Sequence, residues 1–132
     1  MIGIVIVAHG GLAREYLAAV EHVLGPQEAM LAIAIEDNHD RAKKQEEICA
    51  ATATVDRGDG VVVVTDMFGG SPSNLSLLAC AIGSGRRIVY GANLPMLIKL
   101  TKSRDLPVAA AVSAALDAGR KYIDSLDLGG GA

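Results

Sequence analysis

VVVVTDMFGGSPSN, residues Val61 to Asn74, reads as a strand, a turn and the start of a helix in one continuous run. Four valines and Thr65 are β-branched and do not alternate with polar residues, the pattern of a strand covered on both faces. Asp66 and the Gly69-Gly70 pair end that strand. Ser71-Pro72 then sets a favoured N-cap before a proline suited to the first helical position. A helix is therefore expected over 72–82, stopped by Gly83-Ser84-Gly85. A doubly covered strand that feeds straight into a helix is the building block of a parallel sheet flanked by helices.

The same unit recurs on either side. Upstream, Ile2–Val7 is a second fully apolar, β-branched run. Ala13, Tyr16, Leu17, Val20, Val23 and Leu24 follow at helical spacing, and Gly25-Pro26 closes that helix. Met30–Ile35 reads as a strand. Asp37-Asn38-His39-Asp40 supplies capping chemistry for a polar helix to about Thr54, and Arg57-Gly58-Asp59-Gly60 is a loop. Downstream, Arg87–Tyr90 is a strand and Leu94–Lys102 a short helix. A last helix carries Val108, Val112, Ala115, Leu116, Gly119, Tyr122 and Ile123 on one stripe. Strand and helix alternate with no hairpin signal, so an α/β fold is expected: a three-layer αβα sandwich with a doubly wound, mainly parallel sheet. Strand order 2-1-3-4 would place the first and third strands side by side. Asp124–Leu128 reads either as a continuation of the last helix or as a short antiparallel edge strand, one that could be exchanged between subunits. Residues 1–128 are expected to form one domain, and residues 129–132 a flexible glycine-rich tail.

Composition narrows the function classes. The chain has 132 residues, enough for one domain with a sizeable core. Hydrophobic residues make up 51% with no Trp and one Phe, so the core must be aliphatic. A net charge of −3 gives no basic footprint for nucleic acid. No basic n-region of a signal peptide precedes the first strand, and no apolar run reaches membrane length, so a cytoplasmic protein without membrane insertion is expected. Cys49 and Cys80 show neither a CxxC nor a Cys-rich framework and are expected to be reduced.

In such a sheet, chemistry gathers at the carboxyl ends of the strands, beside the point where strand order reverses. Three segments leave strand ends there: Ala8-His9-Gly10-Gly11, Asp66–Asn74 and Gly91–Leu97. With the first and third strands adjacent, His9 and Asp66 would face each other. A neutral imidazole is a nucleophile at one nitrogen when the other is held as a donor, and a carboxylate opposite that donor fixes the tautomer. Gly69, Gly70 and Ser71 offer backbone N–H groups and a hydroxyl at a helix start, suited to a phosphoryl group. Taken singly these residues have plainer readings: His9 as a strand-end residue, Asp66 as a turn former, Ser71 as an N-cap. His22 lies off the apolar stripe of its helix and His39 in a polar helix start, so neither is expected to act. No HExxH-like spacing suggests a metal, and none is expected.

Other motifs do not match. Gly69-Gly70-Ser71-Pro72-Ser73 lacks the final glycine of a nucleophile elbow. There is no GxxxxGK[ST] loop and no GxGxxG after the first strand. The residue before His9-Gly10 is Ala8, not the arginine of a histidine phosphatase. A His-Gly turn after a first strand also occurs in tetrapyrrole chelatases, which leaves a metal- or tetrapyrrole-binding domain using His9 as the alternative. A pure interaction module is a third reading.

IVIVAHGGLA, VVVVTDMFGGSPSN and GANLPML, in this order and spacing, closely resemble the IIA domain of the mannose family of the bacterial phosphoenolpyruvate:sugar phosphotransferase system, or PTS. The resemblance covers essentially the whole chain. It implies a phosphotransferase component that needs no cofactor and forms a phosphohistidine on His9. It further implies that His9 receives phosphate from the phosphohistidine of the carrier HPr and passes it to a histidine of a IIB protein for sugar uptake. It implies that Asp66 orients His9, that Ser71 lies near the phosphoryl group, and that the chain forms a homodimer. The IIA-like domain of the dihydroxyacetone kinase system shares the fold and the histidine, but the Asp-Met-Phe-Gly-Gly-Ser-Pro run is closer to the mannose type. No IIB domain follows within these residues, which suits either a separate transporter or a regulator that reports PTS phosphorylation state.

Overall fold

The computed structural model describes residues 1–38, 40–67 and 85–129. In chain order the described elements are β1 (Gly3–His9), α1 (Leu12–Leu24), β2 (Met30–Ile35), α2 (Arg41–Val55), β3 (Val61–Thr65), β4 (Arg86–Tyr90), α3 (Leu94–Lys102) and α4 (Val108–Lys121). The strands form one parallel sheet in the order β2-β1-β3-β4, as expected. The helix expected over 72–82 lies outside the described residues, as do Gly69, Gly70, Ser71, His39 and Cys80.

Period-two side-chain alternation divides the two central strands between two cores. Ile4, Ile6 and Ala8 of β1 join Val62 and Val64 of β3 beneath α1, α3 and α4. Val5 and Val7 join Val61 and Val63 beneath Ile48, Ala51 and Val55 of α2. All these strand residues are fully buried, which is why their sequence shows no polar alternation. At Gly3 the backbone of β1 runs against the end of α2: an added Cβ would lie 2.3 Å from the Val55 carbonyl oxygen.

A buried arginine ties the opposite end of the sheet. Arg104, in the loop between α3 and α4, donates from Nε to the Ile2 carbonyl and from Nη2 to the Ala29 carbonyl, each at 2.7 Å. Burial lowers its pKa, the nearby Arg57 lowers it further, and Glu28 opposes both. Lys44 on α2 is buried too, donating to the Ala34 carbonyl at 2.7 Å and to Glu47 at 3.0 Å. Burial disfavours its charge, but Glu47 and Glu36 outweigh that and raise its pKa.

Four expectations change. Tyr122 and Ile123 fall beyond α4 and are 65% and 74% exposed, because the helix ends at Lys121 before it can turn them inward. Val23 is exposed at the margin of the α1 stripe. Cys49 on α2 is disulfide-bonded, not a free thiol: isolated spacing in sequence does not report separation in space. The segment 123–128 is neither helix nor strand.

Candidate active site

β1 and β3 are hydrogen-bonded neighbours, with Val7 opposite Thr65. His9, the last residue of β1, and Asp66, the first beyond β3, therefore emerge side by side. Asp66 Oδ2 accepts the backbone N–H of His9 at 3.1 Å and lies 3.0 Å from its Nδ1, while Oδ1 lies 3.2 Å from the same nitrogen. The Met67 N–H donates to Oδ1 at 2.9 Å. The His9 side chain is 51% exposed and that of Asp66 only 11%.

Burial favours the neutral form of the Asp66 carboxyl. The His9 backbone N–H, the His9 ring and the Met67 N–H together outweigh it and hold the pKa below the usual carboxylate value. An ionised carboxylate only accepts hydrogen bonds, so it places the proton of the neutral imidazole on Nδ1 and leaves the lone pair on Nε2. The arrangement presents an oriented nucleophile on a half-exposed ring.

The turn after His9 is built on glycine. Gly10 has φ +57°, a left-handed conformation that glycine adopts without a Cβ penalty, and its N–H donates to the Ile35 carbonyl. α1 then starts at Leu12 with no side-chain cap.

The third loop, after β4, joins the same edge. The Ala92 N–H donates to the Thr65 carbonyl at 3.1 Å, and the Tyr16 hydroxyl of α1 donates to the Ala92 carbonyl at 3.1 Å. Asn93 caps α3 by accepting the Met96 N–H, and its amide donates to the Gly119 carbonyl of α4. The structure thus brings His9, Asp66 and the 91–93 loop together. Gly69, Gly70 and Ser71, expected beside them, are outside the described residues. Sequence reading missed Tyr16 and Thr65 as neighbours of the pair: Tyr16 matched an apolar stripe and Thr65 a strand, and neither pattern reports a hydroxyl contact. Among the described residues, no three His, Cys, Asp or Glu side chains converge to hold a metal ion, and no helix is long and apolar enough to cross a membrane.

Comparison with known proteins identifies the family. The sequence model of the EIIA-man family, described as "PTS system fructose IIA component", matches residues 3–117. The PTS system mannose-specific EIIAB component of Escherichia coli K12 is 30% identical over 127 residues, which cover 95% of this chain and 39% of that protein. The phosphotransferase system component EIIA from Streptococcus agalactiae superposes with a TM-score of 0.79 at 26% identity, covering 95% of this chain and 97% of that one. The mannose/sorbose specific IIA subunit from Enterococcus faecalis superposes with a TM-score of 0.81 at 22% identity and 96% coverage of each chain, a likeness of fold. The chain belongs to the EIIA-man family, the IIA components of the sugar phosphotransferase system.

Proposed function

We propose that Nε2 of His9 accepts a phosphoryl group from the phosphohistidine of HPr and passes it to a histidine of a IIB protein during sugar uptake. The observation that carries this reading is the 3.0 Å contact between Nδ1 of His9 and Asp66 on a ring that stays half exposed. The Nε2 lone pair forms the new P–N bond while the donor's P–N bond breaks, and the donor imidazole leaves with that electron pair. The proton on Nδ1 stays in place. The ring gains positive charge, which the Asp66 carboxylate stabilises. Gly69, Gly70 and Ser71 are assigned to hold the phosphoryl oxygens, at the start of the helix expected from the sequence over 72–82. Transport and a reporting role in regulation use this same step.

The work is assigned to a single cytoplasmic domain of residues 1–128, acting as a homodimer. β4 is an edge strand, and among the described residues no strand pairs with its outer side. A cleft of about 340 Å³ beside it is lined by Arg87 and Arg120. The segment 123–128 carries Asp124 and Asp127 and exposes Ile123, Leu126 and Leu128. An acidic, apolar segment suits a basic open edge, and a second copy supplies one.

Incubation with phosphoenolpyruvate, enzyme I and HPr, followed by mass spectrometry under alkaline conditions, should place one phosphoryl group on His9. His9→Ala should abolish it without unfolding the chain. Label on His22 or His39, or on no histidine, would overturn the assignment. Zinc or cobalt binding that depends on His9, without phosphorylation, would favour the metal- or tetrapyrrole-binding alternative.

A further inference from the structure

The Tyr16 side chain hydrogen-bonds α1 to the loop after β4 at the carboxyl edge of the sheet. It lies just past the turn that follows His9, at the start of α1. Its hydroxyl donates to the Ala92 carbonyl, and the Ala92 N–H donates to the Thr65 carbonyl. Thr65 is 4% exposed and directly precedes Asp66. The Thr65 hydroxyl lies 3.4 Å from Asp66 Oδ1 and 3.3 Å from the Met67 carbonyl. Asp66 returns to His9 through both the ring and the backbone N–H. These contacts close a circuit through the ends of β1, β3 and β4, and among the described residues Tyr16 supplies the hydrogen bond that ties α1 into it.

We propose that Tyr16 is a positioning residue for the His9–Asp66 pair: its hydroxyl clamps the Ala92 loop onto Thr65 and so holds the Asp66 carboxylate against Nδ1 of His9. Packing alone would need only an apolar side chain here, since Tyr16 sits against the same core as Leu17 and Val20. The hydroxyl is the added part, and it is aimed at a backbone carbonyl. Burial raises the phenol pKa, and the negative charge of Asp66 raises it further, so the group remains a donor throughout the working pH range. When the clamp is lost, Asp66 keeps the His9 and Met67 N–H groups but its approach to the ring loosens, and the ring samples the tautomer whose proton sits on Nε2. That tautomer has no lone pair facing outward.

The inference rests on His9 as phosphoryl acceptor, and its test separates the two. Tyr16→Phe removes only the hydroxyl. Imidazole ¹⁵N shifts of His9, recorded where the ring is neutral, should report mainly Nδ1–H in the wild type and a mixture in Tyr16→Phe, with the circular dichroism spectrum unchanged. Acceptance from phospho-HPr should slow about fivefold in kcat with KM unchanged, the effect of one hydrogen bond. In an Asp66→Asn background, Tyr16→Phe should add nothing, because the group it acts through is gone. A wild-type tautomer signature in Tyr16→Phe, or equal slowing in both backgrounds, would overturn the role. If no phosphoryl transfer occurred even in the wild type, the acceptor assignment would fall, while the ¹⁵N spectra would still decide what Tyr16 does.

Discussion

Asp66 satisfies the His9 N–H, the His9 ring and the Met67 N–H with one carboxylate. Asp66→Asn keeps the shape, removes the charge and allows the amide to present its NH₂ to the ring. Transfer from phospho-HPr, followed by quenched flow, should slow at least about tenfold, within the cost of removing one preorganised electrostatic contact. Stability should respond to pH as well. The folded carboxyl titrates below the unfolded value of about 3.9, so its contribution is complete above that value and disappears as pH falls through the depressed folded pKa. Urea denaturation from neutral to acid pH should show the gap between wild type and Asp66→Asn narrowing below about pH 4. At this scale the sequence announced the pair, because His9-Gly10 and Asp66 each follow an unmistakable strand. It did not announce Tyr16, whose hydroxyl finds a carbonyl 76 residues away.

Elements were legible where burial is symmetrical and obscure where it is not. β1 and β3 are covered on both faces and show it in their composition. α2 reads as polar, yet it buries Ile48, Ala51 and Val55. The residues beyond Lys121 continue the helical spacing of α4 but not its helix, since periodicity does not mark where a stripe runs past the surface it covers. Two contacts between elements make firm predictions. Gly3→Ala drives a Cβ into the Val55 carbonyl, a backbone atom that cannot step aside. It should destabilise by roughly 1–3 kcal/mol or more in thermal or urea unfolding. Arg104→Ala leaves the Ile2 and Ala29 carbonyls without their guanidinium donors. A loss of roughly 1–3 kcal/mol is expected, from the Ile2 carbonyl stranded in the interior, since the Ala29 carbonyl keeps the Ile4 N–H. The ¹⁵N signature of His9, at the opposite end of the sheet, should not change.

For the whole molecule, the open side of β4 and the apolar, acidic segment after Lys121 are the features one chain leaves unresolved. If a second copy completes them, light scattering should give roughly twice the 13.6 kDa chain mass. Leu126→Asp, or truncation after Tyr122, should give a monomer that still carries the His9–Asp66 pair. The placement of that pair has one more consequence. The Val7–Thr65 pairing just beneath it belongs to the two innermost strands, so separating these strands means opening the centre of the sheet. Regions that unfold piecemeal expose their amides long before the whole protein does. Here the His9 amide, held by the Asp66 carboxylate, should exchange its hydrogen for deuterium no faster than the valines of β3. Warming would then remove activity and fold at one midpoint, with no folded but inactive population in between.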